Sequence, residues 1–215
     1  ILQFRTANCK NCYKCIRNCP VKAIRVTNQQ AQIIEEQCIL CEKCIAVCPQ
    51  HAKVEHDDIP AIQRVIASGK KVIASVHPAY LARYGWNSIG DLEKYLQKMG
   101  FWKAFDAAQG AAVMKEEYTR LLREQQQKKL VVSSNCPVVV RLIETKYPHL
   151  TEYLAPVYSM KQMHAAYLRE QYPDASIVYI SPCISVMSEL KERQEYRGKN
   201  DCFCKKRRSD RGRAD

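Results

Sequence analysis

The sequence predicts an α+β domain followed by an α/β domain whose sheet is mainly parallel. A duplicated cysteine pattern fills residues 9–48, and a polar segment ending in Pro60 follows it. Beyond that segment, near-continuous apolar runs alternate with helical periodicity, which is typical of strands joined by helices. We therefore place domain boundaries at 1–56 and 60–195, and we expect an irregular basic tail over 196–215.

The composition is that of a globular protein, with 215 residues, 47% of them hydrophobic, and a net charge of +12. No apolar run approaches the roughly 18–20 residues of a membrane span, and the first residues do not form a signal peptide. The absence of a leading Met suggests a processed or partial chain. The 12 cysteines occur mostly in Cys-x-x-Cys runs, which favour metal ligation in a reducing compartment, most simply the cytoplasm.

The cysteine pattern occurs twice, as an internal repeat with identical spacing in both copies. The two copies are Cys9-x-x-Cys12-x-x-Cys15-x-x-x-Cys19-Pro20 and Cys38-x-x-Cys41-x-x-Cys44-x-x-x-Cys48-Pro49. Residues 2–5, 24–26 and 32–34 flank the copies as short strand-like segments. Because two such halves bury little apolar surface, we expect bound clusters to act as part of the core.

This spacing predicts two [4Fe-4S] clusters. Three closely spaced cysteines bind one cubane, and the fourth, before Pro, ligates the other one. The predicted ligand sets are Cys9, Cys12, Cys15 and Cys48 for cluster 1, and Cys38, Cys41, Cys44 and Cys19 for cluster 2. Zinc is the competing interpretation, but zinc ribbons use two spaced pairs rather than two runs of four. Residues 1–56 resemble the bacterial two-cluster ferredoxins, which implies one-electron relay through two nearby centres.

In the second domain, residues 72–76, 130–132 and 177–180 are apolar runs without alternation, as in strands that are covered on both faces. Three helices are predicted between them. The first is predicted to start at Ser88, with Ile89, Leu92, Leu96 and Met99 on its apolar face. The second spans residues 111–127, with Val113, Met114, Leu121 and Leu122 as apolar positions. The third is predicted to start at Ser159, with Met160, Met163 and Tyr167 as apolar positions.

Each of the three predicted strands ends in an unusual turn: His77-Pro78-Ala79, then Ser133-Ser134-Asn135-Cys136-Pro137, then Ser181-Pro182-Cys183. Ligands of open α/β sheets bind at the carboxyl ends of strands, so Cys136 and Cys183 could face one site, with His77 as a weaker candidate. Taken singly, each cysteine could equally be a small buried hydrophobic residue. The other histidines show no triad or zinc spacing, and we expect them to be surface or partly buried residues.

These turns carry a second resemblance. The segment at Asn135-Cys136-Pro137 resembles the first signature of the iron-only hydrogenase large-subunit domain, and Ser181-Pro182-Cys183 through Glu189 resembles the second. The segment at His77-Pro78-Ala79 is similar to one that lines the family's pocket. The resemblance spans most of residues 1–195. It implies that Cys136 and Cys183 are two of the four ligands of an active-site cubane. It also implies that Glu189 lies on a proton path. A solvated carboxylate is the alternative for Glu189.

The sequence departs from the family at three points. Asn135 replaces a proton-transferring cysteine, and an amide does not titrate near neutral pH. Val186 replaces a lysine that contacts a cyanide ligand. The third signature, which supplies two ligands, is absent, and Cys202-Phe203-Cys204 are interpreted as incidental cysteines. The change after residues 197–199 is what a frameshift or early stop would produce, so we expect a partial or divergent domain that cannot hold the full active cluster.

The predicted function is electron relay through two [4Fe-4S] clusters to a hydrogenase-like site that senses or converts H2, with a slow or sensory relative favoured over a fast catalyst. Whether the chain is an enzyme stays open. The expected partners are a redox protein or carrier and a sensory domain, without a membrane, and the basic tail alone is a weak argument for nucleic acid. The alternatives are a plain ferredoxin-type carrier with an interaction domain, and an active hydrogenase whose missing ligands come from another segment.

Overall fold

The computed structural model describes residues 2–84, 87–124, 130–192 and 202–205. Its N-terminal part holds two antiparallel strand pairs. Strand β1 (Leu2–Phe4) pairs with β4 (Lys53–Glu55), and β2 (Ile24–Thr27) pairs with β3 (Gln30–Ile33). The β2–β3 turn places Asn28 and Gln29 at positive φ, as a two-residue hairpin loop of this twist requires. The three flanking strands predicted here are confirmed, whereas β4 has charged residues at both ends and was not predicted.

Two four-residue helices, α1 (Lys14–Arg17) and α2 (Lys43–Ala46), lie inside the cysteine repeats. The core between the two halves is small. It consists of apolar side chains and thiols that are less than a tenth exposed, namely Cys19, Val21, Ala23, Ile24, Ala31, Ile39 and Cys44. A core of this size agrees with the expectation that bound clusters supply part of the packing.

A parallel sheet of order β6-β5-β7-β8 forms the centre of the second part. Its strands are β5 (Val72–Val76), β6 (Lys103–Asp106), β7 (Ser176–Ser181) and β8 (Cys202–Lys205). All five residues of β5 are buried, because strands lie on both sides of it and helices cover the sheet. The predicted fold class, an α+β region followed by an α/β domain with a parallel sheet, is confirmed.

Helices precede, connect and follow the strands of this sheet. They are α3 (Ile59–Ala67), α4 (Tyr80–Tyr84), α5 (Ile89–Lys98), α6 (Gly110–Glu124), α7 (Pro137–Lys146), α8 (Met160–Gln171) and α9 (Ile184–Glu192). Ser88 caps α5 as predicted, because its side chain accepts a hydrogen bond from the Asp91 backbone N–H. Among the described residues, no helix is long and apolar enough to cross a membrane.

The predicted apolar faces of α5 and α6 are only partly correct. Leu92, Leu96 and Leu121 are buried. Met99, Val113 and Leu122 are instead exposed by 55%, 41% and 56%. Met99 lies at the C-cap of α5, beyond the last turn that packs on the sheet.

The strand predicted over residues 130–132 is wrong. Leu130 is 52% exposed, and the segment makes only an isolated bridge between Val132 and Leu154, outside the sheet. The place beside β5 is taken by β6, whose pattern contains Lys103 and Asp106 and therefore does not resemble a buried strand. A short apolar run alone did not identify which segment the sheet buries.

The prediction for α8 is only partly correct, because the helix starts after Ser159 as expected and Met160 and Met163 are only partly buried. The buried side chains of α8 are Lys161, Gln162, His164, Ala165 and Leu168, while Tyr167 is 45% exposed. Polar groups are buried without great cost only where partners satisfy them. The buried face of α8 is therefore a polar face with tertiary partners, which a hydrophobic period cannot indicate.

The expectation of an irregular tail is wrong at residues 202–205, which form β8 parallel to β7, with Cys204 opposite Ile180. The frameshift hypothesis, which rests on the loss of apolar periodicity after residues 197–199, stays a prediction. The rest of the tail lies outside the described residues.

Candidate functional site

Four cysteines line one cavity in the N-terminal part. Cys19 comes from the first repeat, whereas Cys38, Cys41 and Cys44 come from the second. The remaining lining of this small cavity is mostly apolar, including Ile24, Ile33, Ile39 and Leu40. Thiolates in apolar surroundings suit a soft, sulfur-ligated centre. The donor set and the setting therefore fit an iron–sulfur cluster.

The other four cysteines differ in exposure, since Cys12 is exposed while Cys9, Cys15 and Cys48 are partly buried. Burial raises the pKa of the Cys15 thiol, the Lys53 cation lowers it, and the nearby Cys48 thiol raises it further. Cys48 of the second repeat thus lies close to Cys15 of the first. In the described part of the chain, no three His, Cys, Asp or Glu side chains are placed to hold a single metal ion.

The two cysteine loops have the same backbone shape. Asn11, Tyr13 and Lys22 have positive φ in the first copy, and the equivalent residues of the second copy, Leu40, Glu42 and His51, also have positive φ. Non-glycine residues in this left-handed region cost of the order of 1–3 kcal/mol each and persist only where surrounding structure fixes them. Because equivalent positions of both copies share this conformation, the strain belongs to the loop design rather than to one local sequence.

Backbone N–H groups point at cysteine sulfurs at equivalent places. The Ala23 N–H donates to Cys19 Sγ over 3.2 Å, and the Ala52 N–H donates to Cys48 Sγ over 3.4 Å. Both cysteines precede the prolines of their repeats. Hydrogen bonds to ligand sulfurs are one of the means by which proteins adjust cluster potentials.

The second cysteine loop contacts the α/β domain. The Ile184 N–H donates to Glu42 Oε1 over 2.7 Å, and Arg141 Nε donates to the Cys38 carbonyl over 3.3 Å. Val138 and Leu142 of α7 pack against the apolar core of the N-terminal part. The cavity-lining loop therefore adjoins the starts of α7 and α9, which directly follow Cys136 and Cys183.

The carboxyl ends of the strands bring several predicted and unpredicted groups together. His77 follows β5, Asp106 ends β6 and Cys183 follows β7. Burial lowers the pKa of His77, the Lys161 cation lowers it further, and Asp106 acts in the opposite direction. Cys136 is the exposed N-cap residue of α7, and Cys183 is partly buried against Ala107, Tyr179, Val186 and Met187.

Lys161 is the centre of this polar region, and sequence reasoning gave it no role. Its side chain is 4% exposed and its Nζ lies 2.8 Å from Glu189 Oε2, whose side chain is 14% exposed. The same Nζ donates to the Asn135 carbonyl over 3.1 Å, while Asn135 Oδ1 accepts from the Met160 N–H over 3.0 Å. Glu189 is thus a paired, mostly buried carboxylate, so the solvated alternative is wrong. Asn135 binds the first turn of α8.

An open cavity of about 230 Å³ lies beside these groups, and its lining mixes apolar residues with Ser134, Arg141, Gln162, Ser185 and Glu189. Two buried polar atoms of its lining, Gln162 Nε2 and Ser185 Oγ, have no hydrogen-bond partner among the described residues. Buried polar groups in native proteins normally have partners. Gln162 and Ser185 thus leave hydrogen-bonding capacity in the wall of this cavity.

His164 is completely buried, which corrects the expectation of a surface or partly buried histidine. Its Nδ1 lies 2.8 Å from Ser75 Oγ of β5, and burial lowers its pKa to about 4, against a smaller opposing effect of Asp106. Lys161, Gln162, His164 and Asp106 are site-region residues that hydrophobic periodicity missed.

Comparison with known protein families identifies the family of this chain. Residues 70–205 match the family described as "Iron only hydrogenase large subunit, C-terminal domain". The chain belongs to the iron-only hydrogenase large-subunit family. Residues 8–52 of this hydrogenase-family chain match the 4Fe-4S dicluster domain. The family match extends to residue 205, beyond the boundary at 195 that the sequence predicted, and it includes β8.

Curated relatives of this hydrogenase-family chain are subunits of redox complexes. The NADP-reducing hydrogenase subunit HndD of Solidesulfovibrio fructosivorans is 26% identical over 182 residues, which cover 73% of this chain and 31% of HndD. A component of the ion-translocating oxidoreductase complex of Methanosarcina acetivorans is 50% identical over 44 residues, covering 20% of this chain and 17% of that component. This chain spans less than two thirds of each relative's length. It is an iron–sulfur electron-transfer protein related to hydrogenase subunits.

Proposed function

We propose that this chain relays electrons, one at a time, between an external redox partner and a hydrogenase-like site at Cys136 and Cys183. In this proposal, cluster 1 is held by Cys9, Cys12, Cys15 and Cys48, and cluster 2 by Cys38, Cys41, Cys44 and Cys19. The single observation that carries the proposal is the cavity that Cys19 shares with three cysteines of the other repeat. The clusters supply one-electron chemistry, and the reducing cytoplasm is the proposed compartment.

Cluster 2 is the proposed exit toward the α/β domain. Glu42 lies between two of its cysteines, Cys41 and Cys44, and its carboxylate accepts from the N–H that follows Cys183. The Cys38 carbonyl accepts from Arg141, which lies in the helix that follows Cys136. Both contacts keep the cluster 2 loop against the helices that follow Cys136 and Cys183.

The groups around the second site favour a slow or sensory relative over a fast catalyst. Asn135 holds the first turn of α8, so its amide is engaged in structure at a position where the family resemblance implies a titrating thiol. Val186 is 6% exposed and packs among apolar side chains, so it offers no charged anchor. We further propose that Glu189, with Lys161, forms the proton-accessible end of the open cavity.

The described residues supply two thiolates to this second site, and a complete active cluster needs more ligands. We therefore propose that Cys136 and Cys183 bind iron in this chain, and that any conversion of H2 requires ligands from further polypeptide. The second candidate function is a plain ferredoxin-type carrier. The observation that favours it is the match of residues 8–52 to the dicluster domain.

Iron and acid-labile sulfide counts distinguish the two functions. After anaerobic reconstitution, the chain should bind more than the about eight irons that two cubanes contain. The variant C136A/C183A should lose the excess and keep about eight, with a matching fall in cluster absorbance. If the chain and the variant both bind about eight irons, the carrier function holds, and a count below that contradicts the two-cluster relay itself.

A further inference from the structure

The two cysteine loops have one backbone shape but opposite surroundings. The second loop has Ile39 and Leu40, which are 4% and 8% exposed, and it packs on α7 and α9. At the equivalent positions of the first repeat, the first loop has Lys10 and Asn11, which are both exposed. The second loop is therefore packed at Ile39 and Leu40, although its Cys41 is exposed like Cys12 of the first loop. The first loop is open and polar at the equivalent positions.

The open loop is strongly basic. The first 34 residues contain six basic side chains and no acidic one, and all six are exposed: Arg5, Lys10, Lys14, Arg17, Lys22 and Arg25. Lys10 and Lys14 lie between the cysteines of the loop, and Arg17 Nη2 donates to the Cys12 carbonyl over 3.1 Å. Among the residues that the structure describes, no carboxylate forms an ion pair with any of these cations.

The exposed thiol of Cys12 lies within this charge, flanked in sequence by Lys10 and Lys14. The second loop does not carry this concentration of charge. It retains one lysine, Lys43, and places the carboxylate of Glu42 directly beside it in the chain. A net basic surface around cysteines is thus a feature of the open loop alone, which a uniformly basic protein would not show.

We propose that the open loop, defined by Lys10, Lys14, Arg17 and Cys12, is the docking face for a redox protein with an acidic surface. This inference rests on the proposed electron relay and assigns its entrance. Complementary charge steers two proteins into contact and raises the association rate by about 10-fold or more, with a strong dependence on salt. In the productive encounter the reduced partner loses one electron and the cluster held by this loop gains it.

The test uses the reconstituted full chain and two protein partners of opposite charge. The electron donor is a reduced two-cluster ferredoxin with an acidic surface, and the contrasting partner is a basic c-type cytochrome that accepts electrons from the reduced chain. The variant K10E/K14E reverses two loop charges. The matched control K94E/K98E makes the same charge change on exposed residues of α5 in the other domain.

At low ionic strength, K10E/K14E should slow reduction by the acidic ferredoxin about tenfold and should speed oxidation by the basic cytochrome. Both effects should vanish at about 1 M salt, where charges are screened over a few ångströms. The control K94E/K98E should change either rate by less than about twofold. Equal rates for chain and loop variant, or equal slowing by both variants, would overturn the proposed face.

A small reductant separates failure of this face from failure of the relay. Dithionite needs no protein docking and should reduce the chain, K10E/K14E and K94E/K98E to the same extent. If dithionite reduces no cluster in the unmodified chain, the electron relay and the docking face are both wrong. If it reduces all three proteins equally while the ferredoxin does not distinguish them, the relay stands and only the docking face is overturned.

Discussion

The Glu42 carboxylate accepts a 2.7 Å hydrogen bond from the backbone N–H of Ile184, 142 residues away in the chain. Glu42 lies in the cysteine loop of the second repeat, and Ile184 is the first residue of α9, directly after Cys183. A carboxylate at a helix N-terminus is favoured by the orphan N–H groups and the helix dipole. This bond therefore fixes the cysteine loop of one domain against the start of α9, the helix that follows Cys183 in the other.

Removing this carboxylate should loosen the start of α9. In Glu42→Ala the Ile184 N–H loses a charged acceptor, which is worth about 1.5–3 kcal/mol. Amide hydrogen exchange across residues 183–187 should then become at least about tenfold faster. Glu42→Gln retains an acceptor oxygen, so its exchange rate should lie between those of the unmodified chain and Glu42→Ala. Glu36 is an exposed glutamate of the same domain, and Glu36→Ala should leave the exchange rate unchanged. Equal exchange in Glu42→Ala and Glu36→Ala would contradict the contact.

The buried Lys161–Glu189 pair should behave as a unit. Lys161→Met leaves a mostly buried carboxylate without its cation, and breaking such a pair costs about 3–5 kcal/mol of unfolding free energy. The double variant Lys161→Met with Glu189→Gln removes both charges and should recover most of that loss. Urea unfolding of the single and double variants measures the coupling. Losses that simply add in the double variant would show that the two groups act independently.

Protonation of His164 should make the protein less stable in acid. The pKa of this side chain is about 4 in the folded chain, mainly because of burial, and about 6.5 in an unfolded chain. Between these values the unfolded state binds the extra proton, so stability falls as the pH decreases. Above about pH 6.5 neither state is protonated at this site, and the contribution no longer changes with pH.

The variant His164→Gln isolates this effect from the other titrating groups. Between pH 7.5 and pH 5 the unmodified chain should lose about 2 kcal/mol that the variant does not lose. Urea midpoints at the two pH values give the difference, and the exposed His149 supplies the control His149→Gln. The same pH dependence in the chain and in His164→Gln would exclude a neutral, buried His164.

Lys53 should raise the reduction potentials of the clusters. Its side chain is 2% exposed, its Nζ donates to the Ala31 carbonyl over 2.7 Å, and it lies 3.9 Å from the centre of the Phe4 ring. Burial raises the pKa of Cys44 to about 12, as it also raises that of Cys15, and in both cases the Lys53 cation acts in the lowering direction. One buried cation thus acts on cysteines of both predicted ligand sets.

Substitution Lys53→Met keeps the side chain's length and removes its charge. A cation stabilises the added electron, so the variant should be harder to reduce, with potentials lower by the order of 59 mV, a tenfold change in the one-electron equilibrium. An EPR-monitored redox titration measures the shift, and Lys43→Met removes an exposed charge of the same domain as a control. Potentials that move equally in both variants would contradict a special effect of burial.

Much of the fold could be predicted from the sequence because the local hydrophobic pattern agrees with the burial in the structure. The run at residues 72–76 is apolar throughout most of its length and forms the fully buried central strand β5. By contrast, the charged residues Lys103 and Asp106 make β6 unrecognisable as a strand from its sequence pattern. Its placement depends on pairing with β5. The exposed run at residues 130–132 gave the opposite error.

The residues of the candidate site could be predicted from the sequence only where they lie in a recognisable motif. His77 was indicated by its place after a predicted strand, and the structure puts it in the electrostatic field of Lys161 and Asp106. Lys161 itself is buried because of its partners Asn135 and Glu189, which lie far from it in the chain, on either side of α8. Such tertiary partners leave no trace in helical periodicity, which therefore does not indicate the buried polar face of α8.

The central claim is that each cluster takes its fourth ligand from the other repeat, and paired substitutions test it most directly. Iron and acid-labile sulfide are counted after anaerobic reconstitution of the double variants C9S/C48S and C9S/C19S. The crossed ligand sets predict that C9S/C48S loses about four irons, because both substitutions fall on cluster 1, and that C9S/C19S loses about eight. Equal losses in the two variants, or the reverse order, would contradict the account.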